Sequence, residues 1–146
     1  MLEIAIVNGP NLNLVGTREQ DIYGNVPLDA FLDSLKQKYK DIAIRTYQSN
    51  VEGELIDYLH SCRGQVEGVI LNGGGYTHTS IALADAIAAI NIPVVEVHIS
   101  NIYAREEYRQ RSITASKCVG CITGLGLKGY ALAIEYFIDK LASKTS

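Results

Sequence analysis

Two short stretches carry residues able to do acid–base chemistry. In VEVHISN, Glu96 and His98 stand two apart, so on a strand they share one face while Val95 and Val97 share the other. A carboxylate beside an imidazole favours its protonated form and fixes its ring, which makes His98 a candidate general acid oriented by Glu96. The plainer alternative is a strand-end ion pair without chemistry, and the pair alone does not decide between the two. In NGPNLNLVGTREQDIYG, Arg18 and Tyr23 stand five apart. Free tyrosine has a pKa of about 10, and a nearby guanidinium favours the phenolate. A phenolate in a loop that can close is a base suited to a carbon acid, against the simpler reading of a tyrosine that packs its loop down.

Other polar groups stand near the same stretches. LNGGGYTHTS offers Asn72 and His78, whose ring can donate to a ligand hydroxyl. In AREEYRQR, read as a short charged helix, Arg105 and Arg109 are four apart and share a face. They suit a carboxylate or hydroxyls, although for Arg105 a solvated helix face paired with Glu106 and Glu107 is the preferred reading.

The elements that must position these groups follow from periodicity. Leu2 to Val7 forms an apolar first strand. Pro27 opens a helix with Leu28, Leu32, Leu35 and Tyr39 on one face. Ile42, Ile44 and Thr46 alternate as a second strand. Asn50 caps a second helix that carries Leu55, Leu59 and Cys62 and closes at Gly64. Val66 to Leu71 is the third strand, Thr79 to Ile90 the third helix, Val94 to Ile99 the fourth strand and Cys118 to Thr123 the fifth. A last helix carries Tyr130, Ile134, Phe137, Ile138 and Leu141. Strict alternation predicts an α/β fold: a five-stranded parallel sheet with helices on both faces and the flavodoxin-like order 2-1-3-4-5. In that order strands one, three and four are neighbours, and ligands bind beyond their carboxyl ends. The long loop after strand one, LNGGGYTHTS after strand three and the HISN end of strand four should therefore converge on one site.

Composition limits the alternatives. The 146 residues suit a single domain, 1–146, with a full core; 47% are hydrophobic and 20% charged. A net charge of -3 gives no basic footprint for nucleic acid. No apolar run approaches membrane-span length, and MLEIAIVNGP lacks the features of a signal peptide, so a cytoplasmic protein is expected. Three cysteines, Cys62, Cys118 and Cys121, argue against a disulfide framework. The CxxC formed by Cys118 and Cys121 lies in an apolar strand and reads as inert core. The histidines lack zinc-ligand spacing, and no metal is expected. Gly124, Gly126 and Gly129 match GxGxxG, but only one helix follows, so the glycines read as close packing of the last helix on the sheet. No lysine stands at a strand's carboxyl end, which disfavours Schiff-base chemistry.

Five motifs, GPNLNLVGTRE with a following YG, QSNVEGELIDYLH, LNGGGYTHTS, EVHISNIYAREEYR and GLGLKGY, resemble the type II 3-dehydroquinate dehydratases in order, from Leu2 to about Leu141. The resemblance implies a flavodoxin-like enzyme of the shikimate pathway that dehydrates 3-dehydroquinate by anti elimination through an enolate, without metal or cofactor. It implies Tyr23 as the base, Arg18 as its activator, Asn11 as the group that stabilises the enolate oxygen through a water, His98 as the acid and Glu96 as its orienter. Asn72, Ser100 and the backbone of Ile99 would hold the substrate carboxylate; His78 and Arg109 would contact ring hydroxyls; Asp85 would reach a neighbouring subunit's site. Trimers grouped into a homododecamer are implied as well. Where the family often has proline after the Arg-Glu pair, this chain has Gln20 and Asp21, and its third motif reads NGGG. A flavodoxin-like FMN carrier is the alternative, though it would want a Ser/Thr-rich phosphate loop after strand one. A phospho-acceptor module would need acids where Asn8 and Asn72 stand.

Overall fold

The computed structural model describes residues 1–16 and 26–145. Five strands, β1 (Leu2–Asn8), β2 (Ile42–Gln48), β3 (Gly68–Asn72), β4 (Val94–His98) and β5 (Gly120–Thr123), form one sheet in the order β2-β1-β3-β4-β5. Every pairing is parallel, with Ile4 opposite Ile44 and Gly68, and Leu71 opposite Glu96. The expected topology is the observed one.

Alternation along each strand sorts the apolar residues onto two faces. Ile4, Ile6, Ile70, Val95 and Val97 pack under α1 (Leu28–Lys38) and α4 (Lys128–Thr145), which contribute Leu28, Leu32, Leu35, Tyr130, Ile134 and Phe137. Ala5, Val7, Val69, Leu71 and Val94 pack under α2 (Glu52–Ser61) and α3 (Ile81–Ile90), which contribute Leu55, Leu59, Leu83, Ala86, Ile87 and Ile90. Burial on both faces is what lets the central strands read as continuous apolar runs.

Several boundaries differ from the sequence expectation for local reasons. The third helix begins at Ile81, because the Ser80 hydroxyl accepts from Leu83 N at 2.8 Å and caps it there. His78 lies instead on a preceding 3₁₀ turn, Gly74–His78. Asn50 does not cap α2; its Oδ1 accepts from Asn11 N at 2.9 Å and so ties the first loop to the second. AREEYRQR is not a helix. Its first residue, Ala104, ends one 3₁₀ turn, Ile102–Ala104; a second turn covers Glu107–Arg109, and Arg105 is extended between them. A helix this short depends on tertiary packing, and its aromatic residue Tyr108 is exposed and supplies none. β5 is half exposed at the sheet edge rather than buried, and Cys121 with it. Of the GxGxxG glycines, Gly129 does pack tightly, since a Cβ there would lie 3.2 Å from Val97 Cγ1, whereas Gly124 and Gly126 adopt positive φ in the turn before α4. No helix among the described residues is long and apolar enough to cross a membrane.

Candidate active site

Beyond the carboxyl ends of β1, β3 and β4 lies a cavity of about 270 Å³. Its walls include Asn11 and Leu12 after β1, Asn72, Gly74, Gly75 and His78 after β3, and His98, Ile99, Ser100, Ile102, Arg105 and Arg109 from the end of β4 onward. The convergence follows from the strand order, which makes β1, β3 and β4 neighbours. The loops also touch directly: Gly9 N donates to Asn72 O at 2.8 Å, and a Cβ on Gly9 would lie 2.5 Å from Gly73 O.

At the end of β4, His98 Nε2 donates to Glu96 Oε2 at 2.8 Å, with both side chains buried. Glu96 also accepts from Ser112 Oγ at 2.8 Å and, on its other oxygen, from Thr114 Oγ1. Burial alone would raise its pKa, but the hydrogen bonds from His98, Thr114 and Ser112 and the charge of His98 outweigh it and hold the carboxyl below its ordinary range. An ionised carboxylate only accepts, so Nε2 carries the hydrogen and Nδ1 is the nitrogen left for a proton transfer.

His78 lies beside His98, ring centroids 6.3 Å apart and planes 24° apart. Its Nδ1 lies 2.8 Å from Arg111 O. A carbonyl only accepts, so Nδ1 bears hydrogen and, in the neutral ring, Nε2 is an acceptor.

Asn72 is buried at the end of β3. Its Oδ1 accepts from Gly74 N at 3.1 Å, and its Nδ2 donates to the Tyr130 hydroxyl at 3.0 Å. Tyr130, fully buried on α4, donates in turn to Asn8 Oδ1 at 2.6 Å. Burial pushes its phenol far above the ordinary tyrosine range, so the hydroxyl keeps its hydrogen.

Both arginines reach the cavity although the helix expected to carry them is absent. Arg109 Nε pairs with Glu106 at 3.2 Å and its guanidinium lies over the Tyr108 ring at 5.1 Å. Arg105, assigned from sequence to a solvated surface, instead lines the cavity and donates from Nη1 to Ser100 Oγ at 3.1 Å. Its expected pairing with Glu106 is present at 3.5 Å.

Of the residues singled out from sequence, the structure brings Asn11, Asn72, His78, His98, Ile99, Ser100 and Arg109 to one cavity, with Glu96 behind His98. Asp85 is exposed on α3 and is not part of the cavity wall. Arg18 and Tyr23 lie outside the described residues. Sequence reasoning missed Ser112, Thr114 and the Asn8–Tyr130 pair, and set Arg105 aside as a solvated surface residue. Tyr130 carried one signal: a tyrosine on the apolar face of a helix needs a partner for its hydroxyl once buried.

Glu96, His98 and Cys121 place one donor atom each within 4.8 Å of one another. Cys121 Sγ lies 3.6 Å from Glu96 Oε2 as an S–H donor, and burial and the Glu96 charge push its thiol up to about 12.

The model of the family Dehydroquinase class II matches residues 2–138. The 3-dehydroquinate dehydratase of Caldicellulosiruptor saccharolyticus is 50% identical over 137 residues, 92% of this chain and 94% of that one. The 3-dehydroquinate dehydratase of Clostridium botulinum strain Okra is 48% identical over 143 residues, 97% of each chain. Among solved structures, the type II dehydroquinase of Butyrivibrio crossotus superposes with a TM-score of 0.89 at 43% identity, covering 92% of this chain and 96% of that one. The type II dehydroquinase of Propionibacterium acnes gives 0.90 at 36%, covering 94% and 96%. Matched in sequence and fold along nearly its whole length, with its polar groups gathered at the sheet's switch point, this chain belongs to the class II dehydroquinases.

Proposed function

We propose that the chain is a hydro-lyase that converts 3-dehydroquinate to 3-dehydroshikimate in the shikimate pathway, acting as a single catalytic domain. The observation that carries this is the buried Glu96–His98 pair, which opens onto a cavity ringed by Asn72, Ser100, Arg105 and Arg109. The substrate has a carboxylate, a ketone and hydroxyls, and the cavity offers hydrogen-bond donors and two guanidiniums. A flavodoxin-like FMN carrier is not favoured, because the matching family and relatives are dehydroquinases.

Tyr23, its phenolate favoured by Arg18, removes the proton from the carbon next to the ketone. The electron pair moves to the carbonyl oxygen, and the enolate is stabilised by Asn11 through a water. Preorganised donors in a dry site contribute strongly at this step. The enolate then re-forms the ketone and expels the hydroxyl from the neighbouring carbon, while protonated His98 delivers a proton to the departing oxygen from Nδ1. Glu96 holds the ring through Nε2 and balances the imidazolium charge. Base and acid come from different loops, which suits an anti elimination. Asn72, Ser100 and the Ile99 backbone hold the carboxylate, and His78 Nε2 and Arg109 take the ring hydroxyls.

We place the enzyme in the cytoplasm as a homododecamer of four trimers. In that reading Asp85, exposed on α3 and outside its own subunit's cavity wall, serves a neighbour's site. Purified protein mixed with 3-dehydroquinate and no added metal should generate the ultraviolet absorbance of a conjugated enone. A folded protein that gives no signal would refute the assignment. Sizing chromatography tests the assembly.

A further inference from the structure

We infer that Tyr130 and Asn8 are positioning residues for the substrate carboxylate, because the buried chain Asn8–Tyr130–Asn72 fixes which way the Asn72 amide faces the cavity. This rests on the assignment of Asn72 as a carboxylate-binding group.

The direction of the chain follows from hydrogen counting. Gly74 N–H can only donate, which selects Asn72 Oδ1 at 3.1 Å. Asn72 then turns its NH₂ to the phenol oxygen at 3.0 Å, which accepts. The one hydroxyl hydrogen of Tyr130 is left for Asn8 Oδ1 at 2.6 Å. A flipped Asn72 would set oxygen against oxygen and N–H against N–H at these two anchors. The amide plane is thus held at both ends, and Nδ2 keeps a second hydrogen for a ligand in the cavity that Asn72 lines. A carboxylate needs a donor there; a flipped amide would offer a lone pair and repel it.

Asn8, Asn72 and Tyr130 are 1%, 3% and 0% exposed. They lie on β1, β3 and α4, so the chain spans the switch point at which the site forms. The phenol lies behind the amide, and Tyr130 is not part of the cavity wall.

The test compares Tyr130→Phe, Asn8→Leu, the double variant and Asn72→Ala for KM, kcat and melting temperature, on protein whose circular dichroism shows it folded. Tyr130→Phe should raise KM roughly tenfold with kcat within about twofold, the pattern of lost uniform binding. Asn8→Leu reaches the same hydroxyl from its far end and should raise KM about threefold, since the phenol remains but its hydrogen is released. In the double variant Asn72 Nδ2–H lacks its acceptor as it does in Tyr130→Phe, so KM should match that of Tyr130→Phe whatever the change in melting temperature. KM that follows melting temperature across the set, or an unchanged KM in Tyr130→Phe while Asn72→Ala raises it, would overturn the inference. An unchanged KM in Asn72→Ala would instead remove the carboxylate assignment, and the inference with it.

Discussion

Glu96 and Thr114 are hydrogen-bonded through the carboxylate oxygen that His98 does not use, so the buried Glu96–His98 pair has a third member behind it. Thr114→Val removes that donor and leaves a buried carboxylate oxygen short of a partner. The cost at pH 7 should be about 1–3 kcal/mol. Glu96 is held below the ordinary value of 4.5, so its contribution to stability is present above that pH and is lost as pH falls through the lower folded value. The gap between wild type and Thr114→Val should therefore be widest above pH 4.5 and narrow below it. Denaturant titrations at a series of pH values measure this; a constant gap contradicts it.

Glu96→Gln keeps the size of the side chain but not its charge, and it offers an amide that can turn an N–H toward His98. The expected loss in kcat is about 100-fold, the lower end of what a positioned acid contributes, with KM changed much less. Steady-state rates on folded variant decide the point.

Arg105 donates to the Ser100 hydroxyl, which leaves that hydroxyl's own hydrogen for a ligand. Arg105→Ala should raise KM about three- to tenfold. Lysine should restore little, because its single ammonium cannot reproduce a guanidinium that also meets Glu106. If Arg105→Ala binds substrate as tightly as wild type, Arg105 is only a surface ion pair.

Tyr23→Phe should abolish turnover while binding of a substrate-like carboxylate persists, as expected of a base that acts in the chemical step. Calorimetric titration with the product, beside the absorbance assay, separates the two effects. Undiminished turnover removes Tyr23 from the mechanism.

Cys121 is exposed as a residue, yet its sulfur turns inward to Glu96 Oε2 at 3.6 Å, and desolvation there and the Glu96 charge push the thiol up to about 12. It should react slowly with disulfide reagents at neutral pH, with a rate that keeps climbing well past pH 9. Rapid labelling at pH 7 contradicts that picture.

The sheet order was legible because apolar strands and amphipathic helices alternate strictly, and Glu96 and His98 were legible because a strand repeats every two residues. What supports that pair was not. Ser112 and Thr114 are 16 and 18 residues from Glu96, in a segment with no period, and only the crossover from β4 to β5 brings them back. Arg105 was misjudged because a helix was expected there; with its backbone extended between two turns, its side chain reaches Ser100. Asn50 looked like a cap from its neighbours in sequence, but the first loop competes for its oxygen and wins. The Glu96 and Asn50 contacts join residues distant in the chain, whereas that of Arg105 spans only five residues and depended on the local backbone.

The His78 tautomer has a consequence for selectivity. With Nδ1 committed to the Arg111 carbonyl, the neutral ring meets a ligand with a lone pair. In a cavity whose other polar groups are mostly donors, this lone pair asks for a hydrogen. In that tautomer a hydroxyl hydrogen would be matched at this point, whereas a methoxy, a fluorine or a second ketone would bring none; the Arg111 carbonyl would thereby act on selectivity through the ring nitrogen it leaves free.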